Sequence, residues 1–259
     1  MTALLIVVVA VLGLSIGSFL NVVIWRVPRG ESVVNPPSAC PACGTAIRPR
    51  DNIPVLSWLL LRGRCRDCRA HISRRYPLVE LGTAVAFAVV AARFGWQPEL
   101  PAYLYLAAVS IALAGIDIDV KRLPDVLTLP SYGVGTVLLA VASLGEPYAL
   151  LRALLGAAAM FAVYFGICFA YPAGMGFGDV KLSGVLGLYT AWLGWDVWAT
   201  GLLLGFFSGG LFGMVLVAAG RGGRKTAIPY GPFMILGGFL AILVGHDLAD
   251  GYLRLTTGS

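Results

Sequence analysis

An all-α polytopic membrane protein, with about eight transmembrane helices and a small extra-membrane loop after the first, is the fold class that the sequence predicts. Three observations carry it. Charged residues make up 12% of the 259 and hydrophobic ones 58%, whereas soluble domains carry about 25% charge. Mean hydropathy is +0.84, gathered into repeated apolar runs of membrane-spanning length, about 20 residues. Of the 19 Lys and Arg, 10 lie between Arg26 and Arg75, in a stretch unlike anything that follows. A net charge of +6 is compatible with nucleic acid, but this clustering beside an apolar helix is what holds a loop in the cytoplasm. No nucleic-acid partner is therefore expected; the expected surroundings are the lipid bilayer.

The predicted spans are Leu4–Trp25, Pro77–Ala92, Ala102–Ile118, Val126–Leu144, Tyr148–Tyr171, Val180–Leu193, Val197–Ala219 and Ile228–Val244. The first has no basic residue before it and Arg26 and Arg29 after it, the reverse of a cleaved signal peptide. Two of the spans are short for a hydrocarbon layer of about 30 Å. Placing both termini outside puts loops 26–76, 119–125, 172–179 (with Lys181 at its edge) and 220–227 in the cytoplasm. These carry 16 of the 19 basic residues, so this orientation is preferred. The chain then divides into a first helix (1–25), a cytosolic subdomain (26–76) and a seven-helix membrane domain (77–259). No internal repeat or low-complexity tract is evident.

Within loop 26–76, Cys40-Pro-Ala-Cys43 and Cys65-Arg-Asp-Cys68 form two CxxC pairs. Each pair presents two thiolates from one tight turn, and two such turns complete a tetrahedral all-sulfur site suited to structural zinc, with no coordination position left for catalysis. A loop of this size without a large core needs such a staple, so a zinc-ribbon-like subdomain is expected. Reduced pairs without metal, or a redox pair, are the alternatives; structural disulfides do not fit a reducing cytosol. Cys168 reads as a small buried hydrophobe and His71 as a surface residue.

Carboxylates in apolar sequence are costly and mark functional sites. One cluster is Asp117-Ile-Asp119, followed by Lys121, Arg122, Pro124 and Asp125, at the cytoplasmic end of the third span. The other is Gly174-Met-Gly176-Phe-Gly178-Asp179, with Lys181 beyond, at the start of the sixth. Two carboxylates on one membrane face suit an aspartyl protease: one ionised group activates water, and its protonated partner donates to the scissile carbonyl. Simpler readings are an ion pair of Asp117 with Lys121 or Arg122, and helix-capping by Asp179 beside Lys181 and by Asp125. A proton- or ion-coupled transporter, or a non-catalytic assembly component, would also use such groups. No HExxH or dinucleotide-type glycine signature is present.

These segments together resemble the prepilin peptidases, or type IV leader peptidases, of the GxGD membrane aspartyl proteases. The similarity covers nearly the whole chain. It runs through Gly17-Ser-Phe-Leu-Asn21-Val-Val-Ile, both CxxC pairs, Asp51-Asn-Ile-Pro-Val-Leu-Ser-Trp58 and Arg62-Gly-Arg-Cys65. It continues through Ile72-Ser-Arg-Arg-Tyr-Pro-Leu-Val-Glu80, Leu123-Pro-Asp-Val-Leu-Thr-Leu-Pro130, the GxGD loop and Ile228-Pro-Tyr-Gly-Pro-Phe233. The resemblance implies Asp117 and Asp179 as the catalytic pair, with Gly176, Gly178, Asp125 and Lys181 in support. It implies leader cleavage of prepilins or pseudopilins of type IV pilus and type II secretion systems, at the cytoplasmic face of a bacterial inner membrane. Members with the cysteine loop also N-methylate the new N-terminus from S-adenosylmethionine, and the family's Gly-basic pair before the third cysteine corresponds to Gly63-Arg64. Glu80 is expected either to hold basic residues of the loop or leader or to make an interhelical hydrogen bond, and Tyr230-Gly-Pro232 to line the site or simply open a helix.

Overall fold

The computed structural model describes residues 2–172, 174–220 and 228–257. Among these the secondary structure is helical: α1 Thr2–Arg26, the short α2 Leu56–Leu60, α3 Arg75–Phe94, α4 Leu100–Val120, α5 Asp125–Ala142, α6 Pro147–Ala170, α7 Phe177–Leu193, α8 Trp195–Ala218 and α9 Gly231–Thr257. Seven of them are long and apolar enough to cross a membrane, which makes this a multi-pass membrane protein. The eighth long helix, α7, has 17 residues and spans about 25 Å. From Asp179 to Ala191 it is buried at every position but Lys181. A helix that is apolar on all sides belongs inside a bundle rather than against lipid.

Helix ends depart from the predicted spans where hydropathy and backbone preference disagree. The second span grows to 20 residues as α3, because Arg75 and Tyr76 at one end and Arg93 and Phe94 at the other continue the helix beyond its predicted apolar part. The last span begins not at Ile228 but at Gly231, where Pro232 falls in the first turn, a position that suits proline's fixed φ and missing N–H. It runs 13 residues past Val244, since a helix need not end where its apolar face does. The basic segment 221–227 lies outside the described residues.

The chain forms two compact units, Met1–Gly115 and Ile116–Ser259, and the division falls inside α4. In the first unit, α1 packs along α3. A Cβ on Gly13 would come within 2.8 Å of the Ala84 Cα, and one on Gly17 within 2.7 Å of the Glu80 Cα. The Gly-xxx-Gly spacing thus lets two backbones meet closely, as in membrane helix pairs. Asn21, one turn on, donates from Nδ2 to the carbonyls of Gly17 and, at 3.2 Å, Tyr76, tying α1 to the start of α3.

In the second unit, α7 is the central element, packed against α5, α6, α8 and α9. Its C-terminus is held by Arg152 of α6. The guanidinium donates to the carbonyls of Ala191 at 2.6 Å, Trp192, and Leu193 at 3.2 Å. These are helix-terminal carbonyls without intrahelical partners, and a cation there also meets the negative end of the helix dipole. Arg152→Ala is expected to cost about 2–3 kcal/mol and to lower the melting temperature in detergent. Arg152→Lys, which keeps the charge but loses the fork, should recover part of the loss.

Candidate active site and metal centre

The acidic site is built within the second unit from three helix ends. Asp117 lies in the last turn of α4 and is 5% exposed; Asp179 lies in the first turn of α7 and is 9% exposed. Asp179 closes the glycine-rich loop on itself: its N–H donates to the Gly176 carbonyl at 3.0 Å, and its Oδ2 accepts from the Gly176 N–H at 3.2 Å. Asp179 therefore caps from the third position of α7; the N-cap itself is Gly176, so the N-cap role expected for Asp179 is not the one it takes. Asp117 Oδ2 accepts from the Gly231 N–H at 3.0 Å, across 114 residues of sequence. A Cβ on Gly231 would stand 2.9 Å from that oxygen, so only glycine brings the backbone donor this close.

The Asp179 carboxylate lies within electrostatic reach of Asp117, and also of Tyr164 and Tyr230. The two tyrosine rings sit 6.3 Å apart, and Phe206 stacks on Tyr164 at 5.1 Å. Buried Leu123 contacts the positions where Gly178 and Gly231 would carry a Cβ. The Leu-Pro-Asp segment, the GxGD loop and the Tyr-Gly-Pro segment therefore meet around the two carboxylates.

The remaining predicted residues fall as follows. Asp125 is the first residue of α5, Pro124 is the N-cap, and no side-chain cap is formed. Asp125 Oδ1 instead accepts from Lys181 Nζ at 2.6 Å, joining α5 to α7. Gly176 is the N-cap of α7 and Gly178 lies in its first turn. Asp119 is exposed, on another face from Asp117, as its spacing predicts. Sequence reasoning missed Leu123 as a packing centre, Tyr164, and the Gly231 bond to Asp117. The last left a trace in the Tyr-Gly-Pro motif, but a contact across so many residues has no local signature.

The four cysteine sulfurs, all in the first unit, lie within 4.8 Å of one another, and Cys40 and Cys68 are 3.8 Å apart. A zinc ion bound at about 2.3 Å by four sulfurs in a tetrahedron requires sulfur–sulfur edges of about 3.8 Å, so the residues fit the ion. Two turns of the same build deliver them. The Cys40 N–H bonds to the Thr45 carbonyl and the Gly44 N–H to Cys40; the Cys65 N–H bonds to Ala70 and the Arg69 N–H to Cys65. Bridges pair Ala39 with Ala46 and Arg64 with His71, in the same register about each CxxC. A structural repeat is thus present where the sequence shows only paired cysteines. The residue after each pair has positive φ, +72° at Gly44 and +63° at Arg69; the second costs about 1–2 kcal/mol that the first turn avoids.

Hydrogen bonds from the Thr45 hydroxyl and backbone pull the Cys43 thiol down to about 6. Backbone N–H groups of Cys68 and Asp67 lower Cys65 as well. Cys68 goes the other way, to about 12: against an Ala70 N–H that lowers it, burial and the three neighbouring sulfurs raise it. Four sulfurs this close resist carrying full charge unless a cation offsets them. The turns are anchored by ion pairs, Arg66 forked onto Asp51 and Arg48 to Asp67 at 3.0 Å. His71 is exposed, as predicted; Cys168 is half-buried rather than buried, and donates to the Met175 carbonyl at 3.5 Å.

Gly63, at φ +65°, packs beneath Trp58, whose ring a Cβ would approach to 2.9 Å. The indole N–H donates to the Ile72 carbonyl at 3.1 Å, and the Ile72 N–H returns to the Gly63 carbonyl at 2.7 Å. Gly63→Ala is expected to destabilise this subdomain by about 1–3 kcal/mol, seen as zinc release at lower chelator concentration. Arg64 is exposed. Glu80, 7% exposed on α3, pairs with no basic residue among the described residues. Its Oε2 accepts from the Val55 N–H at 2.7 Å, so what it clamps is the loop backbone.

With this geometry in view, family models match residues 11–94, as a bacterial peptidase A24 N-terminal domain, and 103–214, as the type IV leader peptidase family. Relatives match along almost the full chain. The chain belongs to the type IV leader peptidase family. A prepilin leader peptidase/N-methyltransferase of Pseudomonas aeruginosa is 36% identical over 94% of this chain and 91% of its own length. Proteins of the same name from Pseudomonas putida, 37% identical over 98% and 95%, and Aeromonas salmonicida, 39% identical over 93% and 91%, are similar to it throughout. No solved structure matches the chain. Membership places the cysteine turns in the family's N-terminal domain and the two buried aspartates in its peptidase domain. The transporter reading finds no support in these comparisons.

Proposed function

We propose that this enzyme cleaves the leader from prepilins or pseudopilins with Asp117 and Asp179, and then N-methylates the new N-terminus. The observation that carries the peptidase reading is the pair of buried carboxylates on two different helices of one unit, each with one oxygen fixed by a backbone N–H. Fixed backbone donors hold the pair in place without relying on mobile side chains, and neighbouring carboxylates of like charge tend to share one proton. The ionised aspartate takes a proton from water as its oxygen bonds to the scissile carbonyl carbon. The protonated aspartate gives its proton to the carbonyl oxygen. Collapse of the tetrahedral species breaks the C–N bond, and the leaving amine takes up the proton held by the first aspartate.

Asp125 and Lys181 brace α5 against α7, while Gly176 closes the loop onto Asp179 and Gly178 admits Leu123 against the first turn of α7. The basic loops favour a site at the cytoplasmic boundary of the inner membrane, with both termini outside. There a basic leader and an apolar pilin helix would meet. Functionally we divide the chain into an anchoring helix (1–25), a zinc subdomain (26–76) and the peptidase bundle (77–259). Cys40, Cys43, Cys65 and Cys68 would hold zinc as a structural cross-link. In the second reaction S-adenosylmethionine would supply a methyl group to the mature amine, which loses a proton to solvent. Gly63 shapes the turn beside Trp58 and Arg64 offers an exposed cation to that step.

Purified protein in detergent, given a prepilin-like peptide and the methyl donor, is expected to yield a product shortened by the leader and heavier by one methyl group. An intact peptide with folded, zinc-loaded protein would overturn the peptidase reading. A shortened but unmethylated product would overturn only the second activity.

A further inference from the structure

The short helix α2 leaves an apolar face exposed. Leu56, Leu59 and Leu60 share one side of it by their i, i+3 and i+4 spacing. They are 49, 58 and 73% exposed, and Ile53 just before them is 48% exposed. The other side of α2 faces the protein, with Ser57 buried and Trp58 packed over Gly63. A contiguous exposed apolar patch marks a surface that meets protein or membrane.

Depth favours the membrane. Val55, the N-cap of α2, gives its N–H to Glu80 of α3 at 2.7 Å, and Glu80 lies against Gly17 of α1. Asn52 and Pro54 face Ser15, Ser18, Phe19 and Val22 across a cleft. Along the helix axes, Ser18 stands about 12 Å before Arg26, the end of α1, and Glu80 about 8 Å beyond Arg75, the start of α3. The loop therefore folds back along both helices to the level of their apolar parts. Amphipathic helices on a membrane seat their apolar side about 5–10 Å into the boundary between headgroups and acyl chains.

The backbone supports the same reading. The N–H groups of Ile53, Val55, Leu56, Ser57 and Leu59 all find acceptors within the protein. For Ile53 the acceptor is the Ser57 hydroxyl, which itself donates to the Arg50 carbonyl, both at 3.0 Å. The Leu56 N–H closes a γ-turn onto the Pro54 carbonyl, with the β-branched Val55 at φ +59°, a rare and strained form. Water would serve an exposed loop equally well, whereas irregular backbone at membrane depth must be satisfied internally. Beyond α2, Arg62, Arg64 and Arg69 are exposed, a basic fringe suited to anionic headgroups. A second copy docked about a two-fold axis would instead set these arginines against their own kind.

We propose that Ile53, Leu56, Leu59 and Leu60 insert into the lipid leaflet on the loop's side of the membrane, with Arg62, Arg64 and Arg69 at its phosphates. Loop 26–76 then does not stand wholly in the cytosol. Its α2 segment belongs to the lipid-facing surface and tethers the two cysteine turns to the membrane from its aqueous side.

The test uses the full chain in nanodiscs of equal parts phosphatidylcholine and phosphatidylglycerol. Leu59, Leu60 and, for reference, Ala42 between the first two cysteines are replaced singly by p-benzoylphenylalanine. Each protein is irradiated with and without a mature pilin peptide, adducts are identified by mass, and melting temperature reports folding. Lipid adducts at 59 and 60 are expected to exceed those at 42 at least about tenfold, with or without peptide, since an inserted face meets lipid and a cytosolic turn does not. Yields no higher than at 42, or cross-links chiefly to the peptide or a second copy, overturn the proposal. Wild type gives an independent reading: a diazirine-bearing phospholipid should label residues 53–60 along with α1 and α3. Label on the two helices but absent from 53–60 overturns the insertion as well.

Discussion

Asp179→Asn should leave a protein that inserts, accumulates and binds zinc, yet cleaves a prepilin-like peptide about four orders of magnitude more slowly. The reason lies in the geometry of the side chain. Asparagine keeps the shape of aspartate, and its amide oxygen can still accept the Gly176 N–H that Asp179 Oδ2 accepts at 3.2 Å. The start of α7 therefore stays closed. What is lost is the ability to take or give a proton at the reacting atoms. Asp117→Asn should behave alike, its amide oxygen accepting from Gly231 as Oδ2 does at 3.0 Å. Asp119→Asn, two residues away but exposed, should cleave at close to the normal rate. Asp179→Ala is a different experiment, because it also removes the cap and costs about 1 kcal/mol of helix stability. Initial rates by mass spectrometry, alongside melting temperatures, separate the two effects. Normal cleavage by either Asn variant would rule out the pair.

The second large effect is expected at Cys43. Binding of structural zinc to four thiolates is worth about 10–16 kcal/mol, more than a subdomain of a few dozen residues retains from its own core. The core here is slight, since most residues of the loop are exposed. Cys43→Ser should lower bound zinc from one ion per chain to a small fraction and expose the two turns to protease. The ion pairs of Arg66 with Asp51 and Arg48 with Asp67 cannot compensate, because solvated pairs contribute about 1 kcal/mol or less. Methylation should fall further than cleavage, as the aspartate pair is built in the other unit. Atomic absorption and product mass provide the readout. Zinc content unchanged by the substitution would refute the four-cysteine site.

The methyl-donor question shows how far a sequence motif carries an argument. Gly63-Arg64 stands out by resemblance, but the structure supplies a local reason for the glycine: a positive φ and an indole ring where a Cβ would go. Loss of methylation in a Gly63 variant would then follow from a disturbed subdomain, without any contact to the donor. Glu80 went the opposite way. A carboxylate in apolar sequence suggested a partner for basic residues or an interhelical hydrogen bond, and it proved to grip the backbone of Val55.

The sequence by itself determined what depends on composition and short-range order. Hydropathy located the spans, basic residues favoured an orientation, CxxC spacing marked a candidate metal centre, and two carboxylates in costly surroundings marked the candidate acidic one. Each of these signals is written within a few turns of chain, where residue type and local geometry are tightly coupled. Only the tertiary structure decided which groups meet. It set Gly231 against Asp117, Lys181 against Asp125, Leu123 between the glycine segments, and Arg152 on the end of α7. It also showed that α7, the least membrane-like of the long helices by length, is the buried centre of its unit. Those contacts join residues tens to more than a hundred positions apart, and their energy comes from exclusion of solvent and satisfaction of buried polar groups. No local periodicity records that energy, so it becomes visible only when the helices are packed.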